Sequence, residues 1–236
     1  MRLLWLLAIL LMAPTPAEAP LLVAAASSLG PPLRELAERF RAERGIPVKV
    51  VLASSGKLFA QVQKGAPYTL YLPADPAYLK RLPQGKLKAK PIPFARGRLV
   101  LYLHPRLRRK PEGPEVLKDP EIRRIAIANP NFAPYGRAAL AVLEHYGLIP
   151  AVQRKLVFTE SVAQAARLAA FAAEAAWIDL ASARKLGGPY WLAPSEIHPP
   201  LLYAAGLLDP RGKPFLAYLR SPKAREVFAK YGLEAP

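Results

Sequence analysis

Residues 21–40, LLVAAASSLGPPLRELAERF, read as a buried strand, a tight turn and an amphipathic helix. The apolar run Leu21-Leu22-Val23-Ala24 passes through small residues into Ser27-Ser28-Leu29-Gly30-Pro31-Pro32, after which Leu33, Leu36, Ala37 and Phe40 recur at i, i+3, i+4 and i+7. Proline is tolerated in a helix's first turn, where the missing amide hydrogen has no intrahelical acceptor anyway. The turn therefore gathers backbone N–H groups and serine hydroxyls at the positive end of a helix, an arrangement suited to an anion. One such turn is common. What matters is whether the chain builds more of them.

It does. Residues 48–52 form a strand-like run that leaves through Ala53-Ser54-Ser55-Gly56 into a short helical stretch, 57–64, stopped by Gly65-Ala66-Pro67. Strand 70–72 leads into Pro73-Ala74-Asp75 and a short helix from Pro76; residues 83–93 are a proline- and lysine-rich connection, and 99–103 is a further strand. Strand 125–128 opens into Asn129-Pro130-Asn131-Phe132-Ala133-Pro134-Tyr135-Gly136 and a helix reaching Tyr146, with Gly147 as its stop. Strand 156–158 precedes Thr159-Glu160-Ser161 and an alanine-rich helix from Val162 to about Ala173. Residues 175–180 and 200–205 are strand-like, and 214–219 and 222–231 are helical. Strands alternating with helices indicate an α/β architecture with mainly parallel sheets, in which ligands lie beyond the carboxyl ends of the strands.

The bulk numbers narrow the possibilities. Residues 1–19 have the pattern of a secretory signal peptide: Arg2, an apolar stretch over residues 3–12, and Ala17-Glu18-Ala19 as a small-x-small cleavage site. The rest is expected to be exported. With no cysteine there is no disulfide, thiolate metal site or thiol nucleophile, so an exported domain must stabilise itself by burial, and 236 residues suffice for that. The formal charge of +17 survives removal of residues 1–19, which hold one basic and one acidic residue. The basic residues are spread over many elements, with neither zinc-finger spacing nor a basic helix interleaved with aromatics; nucleic-acid binding is therefore not expected. A generally basic surface still steers small anions.

Four strand-to-helix exits share one chemistry. Ser27-Ser28 and Ser54-Ser55-Gly56 offer hydroxyls and free amides; Pro134 near a first helical position leaves the Tyr135 amide unpaired. Ser161-Val162-Ala163-Gln164 matches a capping box with Ser161 as N-cap and Val162 as first helical amide. Rival motifs are thin. Ser54-Ser55-Gly56-Lys57 satisfies S-x-x-K, with Ser54 as nucleophile and Lys57 as base, but the companion S-D-N and K-T-G are missing, as is G-x-S-x-G. His104, His145 and His198 are scattered and suit solvated or capping roles, while Trp177 and Trp191 suit the core.

The stretches LLVAAASSLGPPLRELAERF, VLASSGKLFAQVQKGAPYTLYLPAD, ANPNFAPYGRAAL and SPKAREVFAKYGL, in that order, resemble the periplasmic molybdate-binding proteins of ABC transporters, over residues 21–233. The resemblance implies a two-lobed type II periplasmic binding protein fold, each lobe a mostly parallel sheet flanked by helices, joined by two crossing strands. Lobe one would comprise residues 20–97 and 204–236, and lobe two residues 98–203. It implies a receptor, not an enzyme, that carries molybdate or tungstate to a membrane ABC permease, acts as a monomer, and needs no cofactor; molybdenum or tungsten enters only as the bound oxyanion. Its ligands would be Ser28 and Ser55 through hydroxyl and amide, and Tyr135 and Val162 chiefly through amides, with Ser27 as the neighbouring alternative. Some members add a tyrosine hydroxyl near the position of Asp179. A carboxylate there departs from that pattern and is expected to point away from a dianion or to belong to the hinge. Another oxyanion, sulfate or phosphate, is the alternative ligand. A ferric-ion receptor would present adjacent tyrosines, and no two tyrosines are consecutive here.

Overall fold

The computed structural model describes residues 19–236; the export signal read in residues 1–19 lies outside the described residues except for its last position. From the first sheet onward the chain runs β1 (Leu21–Ala26), α1 (Gly30–Arg44), β2 (Val48–Ala53), α2 (Ser55–Gln63), β3 (Leu70–Leu72), α3 (Ala77–Lys80) and β4 (Ile92–Arg96). It continues through β5 (Leu99–Leu103), β6 (Ile125–Ala128), α4 (Pro134–His145), α5 (Ile149–Val152), β7 (Leu156–Thr159), α6 (Val162–Phe171), β8 (Ala175–Asp179), α7 (Leu180–Leu186) and β9 (Tyr190–Leu192). It then returns as β10 (Leu202–Leu207), α8 (Lys213–Tyr218) and α9 (Pro222–Lys230).

These strands form two five-stranded sheets, ordered β2-β1-β3-β10-β4 and β7-β6-β8-β5-β9. Both are mixed. β1 pairs in parallel with β2 and β3, as β6 does with β7 and β8, whereas β10 and β5 make only antiparallel pairings. The antiparallel half has a topological cause: β4 passes into β5 through Gly97-Arg98, and the chain returns from β9 to β10, so strands entering from the other sheet run against their neighbours. The two crossings touch where the Gly97 amide donates to the Leu201 carbonyl at 2.8 Å. Hydrophobic periodicity does not reveal β4 or β9: β4 contains Pro93 and stands at a sheet edge, where a missing N–H is tolerated, and β9 is only three residues long.

Burial explains why these segments take these forms. In β1, Leu21, Val23 and Ala25 join the main core, while Ala24 and the half-buried Leu22 pack into a second cluster with Leu58, Phe59 and Tyr71. Successive side chains thus serve opposite faces of a sheet covered on both sides, and the run is apolar throughout. In α1, Leu33, Leu36 and Phe40 face inward, and Phe40 meets Phe215 edge-on at 5.1 Å. The helix ends at Gly45, whose φ of 72° needs no β-carbon penalty and whose amide reaches the Arg41 carbonyl.

The parallel register is what positions the site. Ala26 stands opposite Ala53 and Ala128 opposite Thr159, so the paired strands end level and their exits emerge side by side. Gly136 lets α4 lie against β6, because a β-carbon at this position would overlap the Ala128 carbonyl oxygen. Gly136→Ala is therefore expected to lower the thermal midpoint by roughly 3–10 °C through overpacking. An unchanged melting curve would show that the close approach is not required.

Candidate functional site

The level strand ends converge on a cavity of about 10 Å³ lined by Ser27, Ser28, Ser55, Ala74, Tyr135 and Val162, with Ala26, Ser54, Ala133 and Pro134 completing the wall. Sites for organic ligands run to about 300–1,000 Å³, so this one suits a small ion. The four residues singled out from the strand-to-helix exits, Ser28, Ser55, Tyr135 and Val162, all lie on it. Ser28 and Ser55 come from the first sheet, Tyr135 and Val162 from the second.

Each wall residue is held by its local structure. Ser54 caps α2, its Oγ accepting the Lys57 amide, so that Ser55 occupies the first helical position. The Ser55 carbonyl accepts from the buried Tyr71 hydroxyl at 2.6 Å, and its Oγ accepts the Ala74 amide at 3.1 Å, which leaves the Ser55 hydroxyl hydrogen available. Pro134 opens α4 and Tyr135 follows; the first bonded amides of that helix are Gly136 and Arg137, both reaching the Ala133 carbonyl. Ser161 caps α6 with its Oγ on the Gln164 amide, and Val162 begins the helix. The first amides of a helix have no intrahelical acceptor. Among the described residues, the amides of Ser28, Ser55, Tyr135 and Val162 make no backbone hydrogen bond outside regular structure. The cavity is a convergence of donors. Its Ser27 member reaches across to the second sheet, where Oγ accepts the Ala163 amide at 3.4 Å.

No carboxylate, lysine or arginine lines the cavity. Charged groups stand at its rim in pairs that bridge the two sheets: Arg137 with Asp75 at 2.7 Å, and Lys57 with Glu160 at 3.0 Å. Arg137 also lies over the Tyr78 ring, and the Gly56 amide donates to the Phe132 carbonyl at 2.8 Å. Lys57 is thus a half-exposed lysine paired with Glu160 and not a base for Ser54, whose oxygen is occupied by the Lys57 backbone. His104 Nδ1 accepts the Arg106 amide, a capping role, and His198, half-buried, has Nδ1 2.9 Å from the Pro199 carbonyl oxygen. Trp177 is buried against Trp191, which is only partly covered. Among the described residues no group of three His, Cys, Asp or Glu side chains could hold a metal ion, and no helix is long and apolar enough to cross a membrane.

Asp179 is not on the cavity wall. It caps α7, accepting the Ser182 amide at 2.9 Å and the Ser182 hydroxyl at 2.8 Å, and it faces a second small cavity shared with Ser28, Tyr135 and Tyr203. Burial pushes its carboxyl above the usual carboxylate range, against the lowering effect of both Ser182 bonds. Tyr203 and the Ala74 amide are contributors that residue patterns alone did not single out. Ala74 sits in the quoted LPAD exit of β3, so its strand-end position was the available signal. Tyr203 is one aromatic in an apolar strand and carried none. Asp179 also gives a pH dependence. An acid whose native pKa is raised favours the fold below its unfolded pKa, and that contribution is lost as pH rises through the native value. Asp179→Asn, which keeps a capping oxygen, is expected to gain stability over wild type progressively from pH 4 to pH 8. Denaturant titrations at both pH values check this, and an equal difference at both would contradict it.

Comparison with known proteins is consistent over most of the chain. The family model for bacterial extracellular solute-binding proteins matches residues 21–234. The molybdate-binding protein ModA of Azotobacter vinelandii is 32% identical over 222 residues, covering 89% of this chain and 88% of the relative. That of Rhodobacter capsulatus is 31% identical over 225 residues, covering 92% and 88%. The solved structure of the Azotobacter vinelandii periplasmic molybdate-binding protein superposes with a TM-score of 0.83 at 30% identity, over 92% of this chain and 99% of that one. The two sheets, their crossings and the arrangement of helices are those of a periplasmic binding protein, a transport receptor fold and not an enzyme. The chain belongs to the bacterial extracellular solute-binding proteins.

Proposed function

We propose that this chain is an exported receptor for a tetrahedral oxyanion, molybdate or tungstate, which it delivers to a membrane ABC permease. Residues 20–97 and 204–236 act as one lobe and 98–203 as the other, meeting on the ion. The observation that carries the reading is the donor-only wall: hydroxyls and first-turn amides from both sheets, with no acceptor carboxylate among them. Ser28 and Ser55 serve by hydroxyl and amide, Tyr135 and Val162 by amide. Ser27 stands beside them with its oxygen engaged by Ala163. Asp179 serves as a helix cap and not as a ligand. The relatives named molybdate-binding proteins favour molybdate, and tungstate shares its charge and tetrahedral shape.

The chemistry suits them. Molybdate, tungstate and sulfate are fully deprotonated near neutral pH and only accept hydrogen bonds. Hydrogen phosphate keeps a proton that needs an acceptor, and the cavity wall lacks an ionised one. Hydrogen bonds to a charged partner contribute roughly 1.5–3 kcal/mol each. Six or seven of them, against desolvation and ordering costs, leave about −8 to −12 kcal/mol, a micromolar to nanomolar affinity. No cation need touch the ion; the basic surface attracts it from a distance, in a protein that works as a monomer and binds no nucleic acid.

Titration calorimetry with molybdate, tungstate, sulfate and phosphate tests this. Molybdate and tungstate are expected to bind most tightly, and Ser28→Ala or Ser55→Ala to weaken each by roughly 10- to 100-fold with little change in fold stability. Preferential binding of sulfate would move the assignment to another oxyanion, and unchanged affinity in both variants would remove these serines from the site.

A further inference from the structure

Three buried hydroxyls run in a chain away from the cavity. Ser28 Oγ lies 2.6 Å from the Tyr203 hydroxyl, which lies 3.0 Å from the Tyr135 hydroxyl. Tyr203 stands in the middle; Ser28 also lies near enough to the Tyr135 phenol to act on it, though without a bond of normal geometry. The members of the chain come from three places: the first exit of the first sheet, the returning strand β10, and the first turn of α4. The β10 pairing shifts register between Tyr203 and Ala204, an irregularity of the kind that re-aims a side chain beside a site. At the crossing, Gly97 leaves the room; a β-carbon there would overlap the Tyr135 hydroxyl and press within 3.1 Å of the Tyr203 ring.

Counting protons fixes the direction of the chain. Three hydroxyls carry three hydrogens, and the two links use two. The third must leave from Ser28, Tyr203 or Tyr135. Tyr203 is fully buried and Tyr135 is 2% exposed, and beyond these three hydroxyls neither phenol has a hydrogen-bond partner among the described residues. Asp179, the carboxylate nearest to hand in the second cavity, has both oxygens engaged by Ser182 and takes no bond from either phenol. A surplus hydrogen on a buried phenol would go unmet, which costs about as much as a lost hydrogen bond. At Ser28 it faces the ion.

Resting on the oxyanion reading above, we infer that Tyr203 is a positioning residue that sets specificity: its phenol donates to Ser28 Oγ and holds the Ser28 hydroxyl as a donor toward the anion. Tyr135 in turn donates to Tyr203. For Ser28 to accept a proton from a protonated anion, both links would have to reverse and strand the surplus hydrogen on Tyr135. The chain therefore favours ions without a proton, through residues that never touch them.

Calorimetry on the full exported chain, with molybdate and with hydrogen phosphate in competition, tests this. Tyr203→Phe keeps the ring that packs against Phe94 and removes the hydroxyl. It is expected to weaken molybdate about 10-fold and to narrow the preference for molybdate over phosphate. In a Ser28→Ala background the same change should cost nothing further, because Tyr203 acts only through Ser28. Tyr135→Phe should have a smaller effect, since Tyr203 can still donate, and it provides a second variant should Tyr203→Phe fold poorly. An equal Tyr203→Phe loss in both backgrounds, or an unchanged molybdate-to-phosphate ratio, overturns the inference while leaving the receptor reading intact. A wild-type protein that binds none of these anions overturns both.

Discussion

Unstaggered parallel pairing is the constraint on which this molecule depends. Because β1 and β2 end level, and β6 and β7 end level, the residues that follow them, Ser27-Ser28 beside Ser54-Ser55 and Pro134-Tyr135 beside Ser161-Val162, are brought to one point. A slip of one residue in either pairing would turn each side chain to the opposite face and scatter the donors. Small side chains at the strand ends and glycines at Gly56 and Gly136 then let backbone approach backbone: a β-carbon at Gly56 would sit 2.9 Å from the Phe132 α-carbon across the cleft. The site is built from main chain more than from side chains, and main chain is placed by sheet register.

Contacts across the cleft divide into two kinds. The ion pairs Arg137–Asp75 and Lys57–Glu160 are partly exposed, and such pairs contribute only about 0–1 kcal/mol each. Charge-assisted hydrogen bonds to an enclosed dianion are individually stronger and more numerous. On the proposed reading the balance of closure rests with the ion, and the rim pairs supply orientation. Neutral donors at the centre with paired charges at the edge also avoid burying an uncompensated lysine or arginine, which would hold the ion but hinder its release.

Much of this was legible in the residues. Leu33, Leu36 and Phe40 marked α1, Pro134 and Gly147 bracketed a helix close to the observed α4, and the Ser161 capping box placed the first amide of α6 where it is found. Those signals are local, set by caps and by the 3.6-residue period. The antiparallel halves of the sheets were not legible, because nothing in β4 or β9 states which neighbour it will meet. Tyr203 was silent for the same reason: its placement comes from a register shift and from residues 175 and 68 positions away in sequence. Asp179 was read as pointing away from a dianion or belonging to the hinge, but its partner Ser182 follows from helix α7, which the periodicity did not show.

The central claim is that main-chain and hydroxyl donors from both sheets enclose one dianion without a cation in contact. Anomalous X-ray scattering from crystals grown with tungstate tests it most directly, because tungsten marks its own position. A single strong peak between Ser28, Ser55, Tyr135 and Val162, with oxygens in hydrogen-bond reach of their amides, is the expected result. A peak elsewhere, or one coordinated by lysine or arginine side chains, would contradict it.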